Sequence, residues 1–110
     1  HSDYEIESIA LTLKNLQLEL LEKYNIKMVF LPVPGKYTIY HHLTNSTDKY
    51  DSFLPRLYTV LDQHNIPVVK LYEPFKQSKE LVYWGSDTHW NNEGIDIAAK
   101  KTAEAVNVLH

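Results

Sequence analysis

Apolar side chains follow two rhythms along this chain, and the switch between them marks out its elements. From Asp3 to Tyr24, Ile6, Ile9, Leu13, Leu16, Leu20 and Leu21 recur at the spacing of one face of an α-helix. Ser2 or Asp3 is placed to cap its start, Glu5 and Glu7 lie near its positive end, and Asn25 can take the left-handed conformation that ends a helix. The rhythm then changes. Ile26 to Val33 is apolar almost without a break, which reads as a short strand buried on both faces, as in a parallel sheet. Pro32, Pro34 and Gly35 close it. Lys36 to Asp51 is polar, rich in Tyr and His, and reads mostly as loop.

A second helix is predicted over Ser52 to His64, with Phe53, Leu57, Val60 and Leu61 inward and Pro55 tolerated in the first turn. Ile66 to Leu71 reads as a second strand, Glu73 to Glu80 as a connector that can hold a short helix, and Leu81 to Tyr83 as a short third strand or an extended segment. Asn91 or Asn92 caps a last helix reaching about Val108, with Ile95, Ala98, Ala99, Thr102, Ala105 and Val106 inward. Helices alternating with strands predict an α/β layered fold on a parallel sheet, one domain or domain fragment over residues 1–110. Two strands and a candidate third make a thin sheet, against the usual four to six or so, so the expected architecture is part of a larger domain.

Composition narrows the function. With 44% hydrophobic residues, 23% charged and a net charge of −3, the chain has material for one core and no basic face, so nucleic acid is not an expected partner. No apolar run approaches the roughly 18 residues of a membrane span. The opening His-Ser-Asp does not read as a basic and apolar leader. Cysteine is absent, which excludes disulfides, thiolate zinc sites and a cysteine nucleophile. Asn45-Ser46-Thr47 fits the glycosylation sequon, a pattern short enough to arise by chance.

Candidate chemistry concentrates in Tyr83 to Gly94. Asp87 and His89 stand two apart, between Trp84 and Trp90 and just before the last helix. An Asp bonded to one ring nitrogen fixes the imidazole tautomer and leaves the other nitrogen as a base. The competing reading is an Asp-rich turn that caps the helix, with His89 packed or exposed. Trp90 reads as a wall that excludes water and stacks on a sugar or acyl group, whereas Trp84 reads as core. Lys36, Tyr37 and Tyr40 follow the first strand, where open α/β sheets bind ligands, and either line a polar pocket or remain loop residues. His41 and His42 are adjacent, so in an extended segment they point opposite ways and do not share a metal. A hydrolase metal held by Asp87 and His89 with His41, His42 or Asp51 is the remaining alternative; neither metal nor cofactor is expected.

The block Asp87-Thr88-His89-Trp90-Asn91 with Gly94 resembles the SGNH-hydrolase-like domain of the alginate-type O-acetyltransferases, the AlgX/AlgJ group, and the related bacterial DHHW proteins. Their Asp-x-His-Trp-(Asn/Thr)-x-x-Gly pattern is present without departure. Val33-Pro34-Gly35-Lys36-Tyr37-Thr38-Ile39-Tyr40 is similar to the family's strand end, and the resemblance covers most of residues 26 to 108. It implies a three-layer parallel-sheet, SGNH/flavodoxin-like fold, with Asp87 orienting His89 as general base and Lys36, Tyr37, Tyr40, Trp90 and Asn91 about the substrate. It further implies an extracytoplasmic polysaccharide and an acyl donor as partners, and a periplasmic or cell-surface location. The family's serine lies in a Gly-Asp-Ser turn downstream of the histidine. Ser2, Ser8, Ser46, Ser52, Ser78 and Ser86 have no such context, and glycine occurs only at 35, 85 and 94. Expected, therefore, are two-thirds of a triad, with the nucleophile in the remainder of a parent domain. Rival readings are a non-catalytic carbohydrate-binding module using Trp90, Tyr37 and Tyr40, and a metal-dependent phosphoesterase.

Overall fold

The computed structural model describes residues 2–35, 39, 52–78, 82 and 90–109. Among them four helices form: α1 (Asp3–Tyr24), α2 (Phe53–Gln63), α3 (Tyr72–Gln77) and α4 (Asn92–Leu109).

The ends of α1 follow from local chemistry. Ser2 Oγ accepts the Glu5 N–H at 3.1 Å, and Asp3 and Glu5 lie in the positively polarised first turn. At the other end Asn25 turns left-handed, φ 54° and ψ 37°. That turn lets the Asn25 N–H reach Leu21 O and the Ile26 N–H reach Leu20 O, both at 3.1 Å, so two terminal carbonyls are satisfied. The inward face is narrower than expected. Ile6 and Ala10 are buried and Ile9 and Leu13 pack behind them, whereas Leu16 and Leu21 face outward. Ala10 is fully buried in the cluster that α1 shares with Leu57 and Leu61 of the next helix.

The helix α2 opens at Ser52 and presents Leu54, Leu57, Tyr58 and Leu61 to the interior. With α1 it builds one core cluster of Ile6, Ala10, Leu57, Leu61 and Ile66. Truncating a buried leucine in such a cluster to alanine costs about 2–5 kcal/mol. Three polar ties edge the seam: Arg56 to Asp3 at 3.0 Å, His64 Nε2 to Glu7 Oε1 at 2.6 Å, and Gln17 Nε2 to the Asn65 carbonyl at 3.3 Å.

The parallel sheet predicted over Ile26–Val33 and Ile66–Leu71 is corrected by the structure. Among the described residues there is no strand and no sheet; Phe30 and Val68 form an isolated parallel bridge, and Trp90 also holds a bridge position. The Phe30 N–H reaches Pro67 O at 2.9 Å, and the Val69 N–H reaches Phe30 O at 2.8 Å. In a parallel ladder the next bonds on either side would be donated by residue 67 to Met28 O and by residue 32 to Val69 O. Both donor positions hold proline, which has no N–H. The ladder therefore stops after two bonds, and the α/β, SGNH/flavodoxin-like parallel-sheet assignment does not stand for these residues. Of the suggested third strand, Leu81 and Tyr83 lie outside the described residues; Val82 is buried. Of Lys36–Asp51, read from the sequence mostly as loop and including the Asn45 sequon, only Ile39 is described; it is helical and buried, and its N–H donates to Gly35 O at 3.2 Å.

A second cluster joins α2, α3 and α4 through Ile39, Leu54, Tyr58, Val69, Leu71, Tyr72, Phe75, Val82 and Ala98. The inward face of α4 is rotated from the predicted one. Gly94 and Ala98 are buried and Ile97 and Ala105 pack on the cluster, whereas Ile95 and Val106 are exposed.

Candidate functional site

The start of α4 is built by the residues of the Asp-x-His-Trp-Asn-x-x-Gly block that the structure describes. Asn91 supplies the cap: its Oδ1 accepts the Gly94 N–H at 3.1 Å, and its carbonyl accepts the Ile95 N–H at 3.0 Å. Its own N–H donates to Val82 O at 2.9 Å, which ties the helix start to the buried Val82. Gly94 lies over that same carbonyl. A β-carbon at position 94 would stand 2.5 Å from Val82 O and 3.2 Å from the Trp90 β-carbon. The spacing of Asn and Gly in the block thus has a direct cause: one residue caps the helix, and the other clears room for the strap beneath it.

Trp90 is half-buried and meets Phe75 of α3 edge-on, with ring centroids 5.3 Å apart and planes at 78°. Phe75 is itself fully enclosed. Trp90 and Asn91 are therefore brought together at the mouth of α4, and Asn91 is engaged there through its side chain. Lys36, Tyr37, Tyr40, Asp87 and His89 lie outside the described residues, as do Trp84, His41, His42 and Asp51.

Two residues with a part in holding this region escaped the sequence reading. Phe75 falls in the segment read as a connector, and Tyr58 was not singled out on its helix. The Tyr58 hydroxyl oxygen accepts the N–H groups of Leu71 and Tyr72, both at 3.2 Å. Burial pushes the Tyr58 phenol above its ordinary 10.0, since the charged form loses water, although the two backbone donors act in the opposite sense. Periodicity alone would have placed Tyr58 beside the inward Leu57 and Leu61.

Among the described residues no group of three or more His, Asp or Glu side chains is arranged to hold a metal ion. Two adjoining concavities of about 340 and 570 Å³ run between the end of α4 and residues 66–70, sharing Val68, Ala105 and Val108 in their walls. Neither is lined by Trp90 or Asn91. No helix of the described residues is long and apolar enough to cross a membrane.

Comparison with known proteins fits the block. The chain is 29% identical over 94 residues to the probable alginate O-acetylase AlgJ of Pseudomonas putida, a match covering 81% of this chain and 24% of that protein. The chain thus spans about a quarter of the length of the curated relative it matches. No solved structure matches it. The model of the SGNH hydrolase-like domain of acetyltransferase AlgX matches residues 5–110. By that match over nearly its whole length, the chain belongs to the AlgX family of SGNH hydrolase-like, alginate O-acetyltransferase-related domains.

Proposed function

We propose that this chain contributes the acid–base half of the catalytic centre of a polysaccharide O-acetyltransferase or esterase. The observation that carries the reading is the family match over residues 5–110, which spans the complete Asp87-Thr88-His89-Trp90-Asn91-x-x-Gly94 block. The cap at Asn91 and the close approach at Gly94 give two of the block's positions a physical reason to travel with Asp87 and His89.

In this reading His89 is the general base and Asp87 holds its tautomer and stabilises the imidazolium that forms. The nucleophile is a serine of the parent protein outside residues 1–110. His89 takes the serine proton as Oγ attacks the acyl carbonyl, then returns it to the departing group of the donor as the tetrahedral intermediate collapses. In the second half, His89 takes the proton of a sugar hydroxyl as that oxygen attacks the serine ester, and returns it to the serine as the acetyl group leaves. Water in place of the sugar gives hydrolysis. Lys36, Tyr37, Tyr40, Trp90 and Asn91 border the substrate, with Trp90 shielding the imidazole from water. The partners are an acyl donor and a polysaccharide, met in the periplasm or at the cell surface.

The test is made in the full-length protein with a chromogenic acetyl ester. Asp87→Asn leaves the imidazole in the wrong tautomer, and turnover is expected to fall by about 10⁴. Circular dichroism should show the fold intact. Turnover within a few-fold of the natural protein would remove Asp87 and His89 from the mechanism.

A further inference from the structure

In the parallel bridge, residues 67 and 69 spend their backbone groups on Phe30: the Pro67 carbonyl accepts the Phe30 N–H, and the Val69 N–H donates to the Phe30 carbonyl. Backbone groups alternate sides along an extended chain, so the N–H and the carbonyl of Val68 both point the other way. Among the described residues neither has a hydrogen-bond partner, nor has the Lys70 N–H or the Ile66 carbonyl. That edge opens onto the two concavities beside α4, which share Val68, Ala105 and Val108 in their walls. Val108 is 86% exposed. Unpaired backbone groups beside an apolar wall select an extended polypeptide, because another backbone carries donors and acceptors at the matching spacing. Lysine on an edge ordinarily blunts such pairing, but here Asp62 holds Lys70 at 2.6 Å, and both side chains are about half exposed. On α4, Lys101 and Glu104 lie 3.4 Å apart. The rim thus carries both signs in balance, which matches a copy of itself better than a partner of one sign.

We propose that this edge is a docking surface for a second copy of the chain, the two edges pairing antiparallel about a two-fold axis at Val68. The hydrogen-bond pattern there is its own complement. Val68 and the partner's Val68 exchange both N–H···O bonds, and two residues out each Lys70 N–H meets the carbonyl of the partner's Ile66. The Ile66 N–H is already given to Leu61 O at 3.0 Å, so the pairing ends there. Pro67 does not interfere, since its missing N–H belongs to the Phe30 side. The charges fit the same axis. Within one copy Asp62 reaches Lys70, so it stands along the edge between positions 66 and 70. Across the axis it comes beside the partner's Lys70, and carboxylates alternate with ammonium groups around the centre. Val68, Ala105 and Val108 of each copy lose water together. Neither concavity is lined by Trp90 or Asn91, so the surface is separate from the described part of the Asp-x-His-Trp-Asn-x-x-Gly block, and the proposal stands without the role given to His89.

The experiment is sedimentation of the full-length protein over a range of concentrations, with circular dichroism as the check on folding. The natural protein should pass from monomer to dimer as concentration rises. Lys70→Glu leaves only carboxylates at the axis and Asp62→Lys only ammonium groups, so each alone is expected to weaken self-association about 10-fold or more. An equimolar mixture of the two variants puts opposite signs on the two copies and should dimerise within about 3-fold of the natural affinity. Exchange of the Val68 amide with solvent should be slow in the dimer and fast on dilution to the monomer. A protein that stays monomeric overturns the proposal, as does a dimer that Lys70→Glu and Asp62→Lys leave unchanged, or a mixture no tighter than either variant alone. A Val68 amide protected in the monomer also overturns it, and shows that another part of the same polypeptide covers the edge.

Discussion

Position 94 holds glycine because of the backbone packed against it. Alanine is ordinarily the better helix residue by about 1 kcal/mol, so a free site in α4 would gain from the exchange. Here the added carbon would meet Val82 O at 2.5 Å, and that oxygen is already held by the Asn91 N–H. Neither partner yields without breaking the strap under the helix. Gly94→Ala is expected to destabilise by about 1–3 kcal/mol net, seen as a lower denaturation midpoint at unchanged slope. Stability equal to or above that of the natural sequence would show that the strap moves cheaply. At this scale the sequence is legible where a side chain acts on its own neighbourhood. Asn91 as a cap needs only the three residues that follow it. Tyr58 was not legible, because no local pattern says that a phenol will meet amides thirteen residues away.

Helices formed close to where periodicity and capping residues put them, because each is decided within a few turns of its own chain. Ser2 and Asn25 bound α1 as their chemistry suggests. The extended segments are different. The apolar run at Ile66–Leu71 gives burial, with Ile66, Val69 and Leu71 enclosed, whereas the run at Ile26–Val33, read as buried on both faces, holds no fully buried residue and leaves Ile26 and Val33 exposed. Burial of side chains does not specify pairing of backbones. Proline decides that, at 32 and 67, by withholding the donors the ladder needs next. Pro67→Val restores one such donor facing Met28 O. Its new hydrogen bond, worth about 0.5–1.5 kcal/mol, is offset by the roughly 0.4–1 kcal/mol lost as the unfolded chain gains freedom. Stability should therefore change by less than about 1 kcal/mol. The valine amide should nevertheless exchange slowly with solvent, and exchange at the open-chain rate would refute the register described for Phe30 and Val68.

Two clusters make up the interior of the described residues, one between α1 and α2 and the other among α2, α3 and α4. They are not independent, since Phe53 and Val68 pack against both. A chain with shared packing of this kind unfolds as one unit. Amide exchange at Ala10 in α1 and at Ala98 in α4 is expected to converge on one opening free energy as denaturant is raised. Val68→Ala should lower both by the same amount, about 1–3 kcal/mol. Two separate values would mean two folding units. The fold class read from alternating elements failed at this level, and the family resemblance held, because the block at Asp87–Gly94 is a local signature whereas a sheet is a property of chain segments far apart. Phe30 and Val68 meet only after the chain from 31 to 67 has looped back, and just two hydrogen bonds reward that closure. The local turns of α1 and α2 have no such wait. The bridge is therefore a latch that closes behind the helices, late in folding, so that weakening it shortens the lifetime of the native state far more than it delays its arrival.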